Sequence, residues 1–207
     1  IDWHNTAGFG TQAMIAVFTH HAPWLERQSL AYSTDRGRTW TKYPGNPVLL
    51  APPNTPDFRD PKVFWFEAGE RSHWGMCLAA GHAVLFFQSP DLIHWTPTGS
   101  FGPGWGAQGK VWETPDLFQL PVTGTQDSRW VLVVSIGDGG PAGGSATQYF
   151  IGSFDGETFH SDYPPGEILW ADHGADFYAP QSWSDAPNQR RLVIGWMSNW
   201  QYASLTP

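Results

Sequence analysis

The chain has 207 residues with Lys+Arg 11 against Asp+Glu 19, a net charge of −8, and only 14% charged residues. The acidic balance and scattered Lys and Arg argue against a nucleic-acid partner and disfavour an anionic substrate. With 41% hydrophobic residues the low charge does not mean disorder, and no apolar run is long enough to span a bilayer.

Thirteen Trp, 13 Phe, 23 Gly and 18 Pro describe a turn-rich β protein. Cys77 stands alone in the apolar run Trp74–Leu78, so no disulfide can form within the chain, and the thiol reads as a buried structural one. The chain opens at Ile1 without Met and stops at Pro207 after a strongly patterned segment, which leads to the expectation of a fragment cut on both sides.

In chain order, Met14–Thr19 reads as a strand broken by His20, His21 and Pro23, and Gln28–Ser33 as the next strand. Ser33-Thr34-Asp35-Arg36-Gly37-Arg38-Thr39-Trp40 then fits S-x-D-x-G-x-x-W, an Asp box. The carboxylate caps the turn, the glycine takes a positive φ, and the indole is expected to pack back under the hairpin. Its reading is structural. Looser copies follow the strands Ala83–Phe87 and Gln148–Gly152, closing at Trp95 and Phe159.

A second pattern interleaves with the first. From Pro61, Pro115 and Pro180 the chain reads strand, polar turn, strand, with turns at Ala68–Arg71, Thr123–Asp127 and Asp185–Asn188. The prolines and the closing aromatics recur with one period, and neither pattern shows a helix. Each unit is therefore a pair of hairpins. A four-stranded antiparallel unit recurring at roughly 40–50 residues or more is a propeller blade, and about three and a half are present, too few to close a ring. An open β-sandwich is the alternative, which the regular period opposes.

In a propeller the first strand of each blade lines the central channel. Asp60, before Pro61, and Glu113, just ahead of Thr114-Pro115, are expected at equivalent positions in consecutive blades, with Tyr178-Ala179 there in the third. Gly81-His82, Gly137–Gly144 and Ser198-Asn199-Trp200 are expected around the same mouth. Two carboxylates, an arginine and a flat indole are what sugar hydrolysis requires: one carboxyl to protonate the leaving oxygen, another to attack or orient the sugar, and a plate for its C–H face. Taken alone, Asp60 could cap a turn before Pro61, Arg59 could form a local ion pair, and Trp200 could be core. The histidines show no metal-ligand spacing, and Gly139–Gly144 lacks the Lys-Ser/Thr ending of a phosphate loop.

Arg59-Asp60-Pro61 and Trp112-Glu113-Thr114-Pro115-Asp116 resemble the RDP and WECPD motifs of glycoside hydrolase family 32, the invertases, inulinases and levanases. Asn5–Phe9, Ser29–Ser33, Gly102–Gly109, Gly139–Phe150 and Gly195–Tyr202 are similar to family segments in the same order, so the resemblance covers essentially the whole chain. It implies an all-β, five-bladed β-propeller, of which residues 1–207 are a partial catalytic domain without the family's C-terminal β-sandwich. It implies retaining hydrolysis of terminal non-reducing β-fructofuranosyl residues in fructans (inulin, levan) and sucrose, without a cofactor or metal, in a secreted protein. By that resemblance Glu113 is the general acid/base and Asp60 the transition-state stabiliser. Arg59, Asp60, Trp200 and, more weakly, Trp196 contact substrate. Endo-inulinase or endo-levanase action and fructosyl transfer share these motifs, and a non-catalytic fructan-binding propeller is the alternative from another class.

Two departures stand out. Nothing matches the family's NDPNG-like nucleophile motif, so the nucleophile is expected upstream of Ile1 and the chain as given is not expected to complete a retaining mechanism. Thr114 stands where the family usually has Cys, and since Thr still donates a hydrogen bond, modulated activity is expected.

Overall fold

The computed structural model describes residues 1–22, 25–55 and 57–205. It is all-β: the one helical stretch among the described residues is the 3-10 turn Pro187–Gln189. Among the described residues fifteen strands run β1 (Met14–Ala22), β2 (Leu25–Ser33), β3 (Thr41–Lys42), β4 (Leu49–Leu50), β5 (Phe58–Ala68), β6 (Arg71–Ala80), β7 (Ala83–Ser89), β8 (Thr96–Phe101), β9 (Trp112–Pro121), β10 (Ser128–Ile136), β11 (Ala146–Phe154), β12 (Phe159–Ser161), β13 (Leu169–Trp170), β14 (Tyr178–Ala186) and β15 (Arg190–Trp196).

They form four antiparallel sheets in sequence order. Two are complete meanders, β5-β6-β7-β8 and β9-β10-β11-β12, the second with β13 beside β11. The first sheet is β1-β2-β3 with β4 on β2, and the last is the hairpin β14-β15. β1 continues through His20 and His21, which pair in register with Arg27 and Glu26, to Ala22, so the two histidines do not end the strand. The predicted break at Pro23 lies outside the described residues.

Each sheet packs on the next in the same way. The hairpin β1-β2 packs against β5, β6 and β7 against β9, and β10 and β11 against β14. The three initial strands also lie side by side, β5 against β9 and β9 against β14. The cores sit between sheets. Phe86, Trp112, Leu117, Leu132, Val134, Phe150 and Phe154 join the second and third sheets, while Phe58, Met76, Leu78 and Phe87 lie between the first and second. Phe58 and Trp112, at the starts of β5 and β9, are fully buried, as is Cys77.

The Asp boxes form as the sequence indicates. Ser33 Oγ donates to Asp35 Oδ1 (2.7 Å), which accepts Thr39 N–H (2.9 Å), and Gly37 takes φ +80°. These hydrogen bonds hold the Asp35 carboxyl down at about 2. The same turns recur at Asp91 and Asp155. Trp40 departs from expectation: its indole N–H donates to Gly37 O (3.1 Å), but the ring is 45% exposed.

Candidate active site

The recurring prolines determine the site. Pro has no N–H to give the ladder, so pairing must break there. Each of the three initial strands is bulged at its proline: between Arg59 and Lys62 in β5, Glu113 and Asp116 in β9, and Tyr178 and Gln181 in β14. The residue before each proline takes a positive φ, 61° at Asp60, 48° at Thr114 and 50° at Ala179. Such conformations in non-glycine residues cost of order 1–3 kcal/mol each and gather at functional sites.

This register corrects one expectation. Asp60 and Glu113 are not equivalent: Arg59 pairs with Ala79, Glu113 with Ser135 and Tyr178 with Trp196, all just before the bulge. Arg59, Glu113 and Tyr178 are thus one layer, and Asp60, Thr114 and Ala179 the next. Counting from proline, Glu113 stands one residue earlier than Asp60 does.

The Arg59–Glu113–Tyr178 layer is linked by hydrogen bonds. Arg59 Nη2 donates to Glu113 Oε1 (3.0 Å), and the Tyr178 hydroxyl donates to Glu113 Oε2. Arg59 Nη1 also meets Asp57 (2.6 Å) and Glu26 (3.3 Å). Burial opposes charge on the Arg59 guanidinium, but its bonds to Asp57 and Glu113 outweigh this and hold it more firmly protonated than usual. Burial, then the hydrogen bond to Glu113, pushes the Tyr178 phenol well above its ordinary value, which keeps it a donor.

Asp60 Oδ2 accepts Thr114 N–H (2.9 Å), and no hydrogen bond to Oδ1 occurs among the described residues. Burial raises the Asp60 carboxyl above the usual carboxylate value, against the opposing effects of Thr114 N–H and Arg59. The Thr114 hydroxyl does donate, but to Ser135 Oγ (3.2 Å).

Below these layers, the first residues past the bulges are also joined. Lys62 Nζ reaches Asp116 Oδ2 (3.0 Å), Gln181 Oε1 (3.3 Å) and Ser182 O (2.9 Å). This ties the three strands in register.

Above, Arg59, Asp60, Glu113, Thr114, Tyr178, Ala179, Trp196 and Trp200 line one cleft of about 380 Å³. All five residues singled out from the sequence meet there. Trp196 and Trp200 lie with ring centroids 5.1 Å apart, 39% and 57% exposed, each edge-on to Tyr178. Asn199, fully buried, sets the turn that presents Trp200. Its Nδ2 donates to Ala175 O (2.8 Å) and Ser145 O (3.0 Å), and its Oδ1 accepts Ser145 N–H (3.0 Å) and Gln201 N–H (2.9 Å).

Sequence reasoning placed Tyr178 at the third strand start but gave it no role. Its proline-relative position, matching that of Glu113, was the available signal. Glu26 and Asp57 had none, because they reach Arg59 only through the fold.

Two carboxylates, a guanidinium and exposed indoles thus share one cleft, a grouping that sugar hydrolysis can use. The sequence relationship is more specific. The profile "Glycosyl hydrolases family 32 N-terminal domain" matches residues 3–207, and the chain belongs to that family. It is 50% identical over 213 residues to a levanase of Bacillus subtilis, covering 100% of this chain and 31% of that protein. It is 40% identical over 214 residues to an extracellular exo-inulinase of Meyerozyma guilliermondii, covering 100% and 40%. The solved fructofuranosidase of Schwanniomyces occidentalis complexed with fructose superposes with TM-score 0.89 at 36% identity, covering 98% of this chain and 40% of that one. The chain thus spans well under half the length of these relatives.

Proposed function

We propose that residues 1–207 are part of the catalytic five-bladed β-propeller of a secreted exo-acting fructan β-fructosidase, which releases terminal fructose from levan, inulin and sucrose with retention. The observation that carries this reading is Glu113, held between Arg59 and Tyr178 in the cleft that also holds Asp60, Trp196 and Trp200. The repeated packing of one sheet on the next supports the propeller. The relatives named levanase and extracellular exo-inulinase support the substrate class and secretion.

In this reading Glu113 protonates the glycosidic oxygen and later deprotonates the incoming water. Of its two oxygens, the one facing Tyr178 has the partner that can adapt to a proton. A phenol can turn from donor to acceptor, whereas the guanidinium has only N–H groups to offer. Asp60, with one oxygen occupied by Thr114 N–H, offers the other to fructose hydroxyls and to the developing positive charge. Trp196 and Trp200 form the apolar plate. The nucleophilic carboxylate that retention requires is proposed to come from outside residues 1–207, and a β-sandwich to follow the propeller.

The test is product analysis of the full-length protein on levan, inulin and sucrose. Fructose as the sole early product from the two polymers supports the reading. Oligosaccharides from mid-chain would show endo action, longer fructans would show transfer, and fructan binding with no product would show a sugar-binding propeller. Each of those three outcomes overturns it.

A further inference from the structure

The two donors that hold Glu113 are themselves gripped by a repeated device. Tyr178 lies between Phe177 and Ala179. Phe177 O accepts from the Thr147 hydroxyl (3.1 Å), and Ala179 N–H donates to Ser135 Oγ (3.1 Å). Arg59 lies between Phe58 and Asp60. Phe58 O accepts from Gln28 Nε2 (2.8 Å), and Asp60 N–H donates to Thr19 Oγ1 (3.1 Å).

In both cases the gripping residues are a cross-strand pair of the preceding sheet, Ser135 opposite Thr147 and Thr19 opposite Gln28. In both cases the pair is internally bonded, at 3.2 Å and 2.9 Å. Gln28, Ser135 and Thr147 are at most 1% exposed. The Ser135–Thr147 clamp also has a fixed proton order. Phe177 O can only accept, so Thr147 must donate to it. Ser135 must then donate to Thr147, and Thr114 to Ser135. The relay begins on the residue next to Glu113 and ends on the residue next to Tyr178. At the intervening junction the equivalent pair is the apolar Ala79 and Val84, and Thr114 N–H turns to Asp60 instead.

We propose that Thr19–Gln28 and Ser135–Thr147 are positioning pairs that hold Arg59 and Tyr178 on the Glu113 carboxylate, and so govern proton transfer at the site without touching substrate. This rests on the proposed role of Glu113. The ionisable groups facing Glu113 are Arg59 and Asp60 from β5 and Tyr178 from β14, with Asp57 and Glu26 behind Arg59. Both clamped donors are bonded to its carboxyl, Arg59 to Oε1 at 3.0 Å and Tyr178 to Oε2. A shift of either donor by about 1 Å costs up to about 10²-fold in rate.

The experiment uses the full-length protein with sucrose, comparing Thr147→Val, Ser135→Ala and Thr19→Val with the parent. The expected result is a kcat loss of about 10-fold with KM within about 2-fold. Thr147→Ser, which keeps the hydroxyl, should restore kcat. Asn46→Ala is the control. Asn46 bridges Leu30 N–H (2.7 Å) and Leu30 O (2.8 Å) away from the cleft, and its loss should lower Tm and leave kcat in place. Clamp variants that behave like Asn46→Ala, with lower Tm but unchanged kcat, overturn the inference. Should Thr147→Val not fold, Thr19→Val at the other clamp decides between the same two results. A parent inactive on sucrose and on fructans overturns the fructosidase reading and this inference with it, whereas an active parent with indifferent variants overturns the inference alone.

Discussion

Replacing Lys62 by Met tests how the inner strands are held together. Met keeps most of the apolar stem and removes the ammonium, so the change isolates the charge and its three contacts. Asp116 is then a carboxylate with a 2% exposed side chain that has lost its cation at 3.0 Å and keeps Ser182 N–H at 2.8 Å. Its other oxygen is already buried without a partner among the described residues.

Breaking a fully buried pair costs about 3–5 kcal/mol. The Lys62 side chain is 21% exposed, which discounts the charge component, while Gln181 Oε1 and Ser182 O also lose a donor. A loss of about 3 kcal/mol is expected, roughly a 6–12 °C fall in Tm for a domain of this size. Urea and thermal unfolding of the full-length protein, followed by tryptophan fluorescence, read it directly. Asp116→Asn in the Lys62→Met background should cost at least about 1 kcal/mol less than the two single changes added together, because the unpaired charge is gone. A single-variant loss under about 1 kcal/mol, or strict additivity, refutes the view that this layer ties the three strands.

Three further outcomes are expected. Asp60→Asn should abolish most activity yet raise Tm at pH 7. The folded pKa of Asp60 is raised, so the native state holds its proton more tightly than the unfolded chain, and stability from this group is present at low pH and lost as pH rises through the folded value. The gain in Tm should therefore vanish at about pH 3 and below, where the carboxyl is protonated in both states, and an asparagine variant less stable at pH 7 would contradict the assignment. Trp200→Ala, at a ring 57% exposed, should leave Tm within about 1–2 °C and raise KM for inulin about 10-fold, roughly 1.4 kcal/mol of binding. Gly144→Ala should destabilise by at least about 1 kcal/mol and weaken substrate binding, because Gly144 has φ +68° and a Cβ there would collide with Asn199 Oδ1, displacing the turn that carries Trp200.

Much of this was legible in the sequence because the signals are local. An Asp box closes on itself within eight residues, and a proline announces a ladder break wherever it falls. Strand hairpins could therefore be read off Pro61, Pro115 and Pro180 with their polar turns. The same prolines misled by one residue. Asp60 and Glu113 share chemistry but differ in offset from proline, and only the pairing register shows that Glu113 belongs with Arg59 and Tyr178. Partners such as Glu26 with Arg59, or Ser135 with Ala179, lie tens of residues apart. They become neighbours only through the packing of one sheet on the next, and no local pattern encodes that distance. The extension of β1 through His20 and His21 was missed for a related reason: its tip is partly exposed, so polar residues there did not mark an end.

The role of Glu113 is the central claim, and Glu113→Gln in the full-length protein tests it most directly, assayed on levan and on an aryl β-fructofuranoside with a good leaving group. A general acid is needed to expel the sugar alkoxide of levan but not an activated phenolate. The expected result is a loss of about 10²–10⁴-fold on levan with a much smaller loss in the release of the phenol. Equal losses on both substrates, or none on levan, would contradict the assignment of Glu113 as the acid/base.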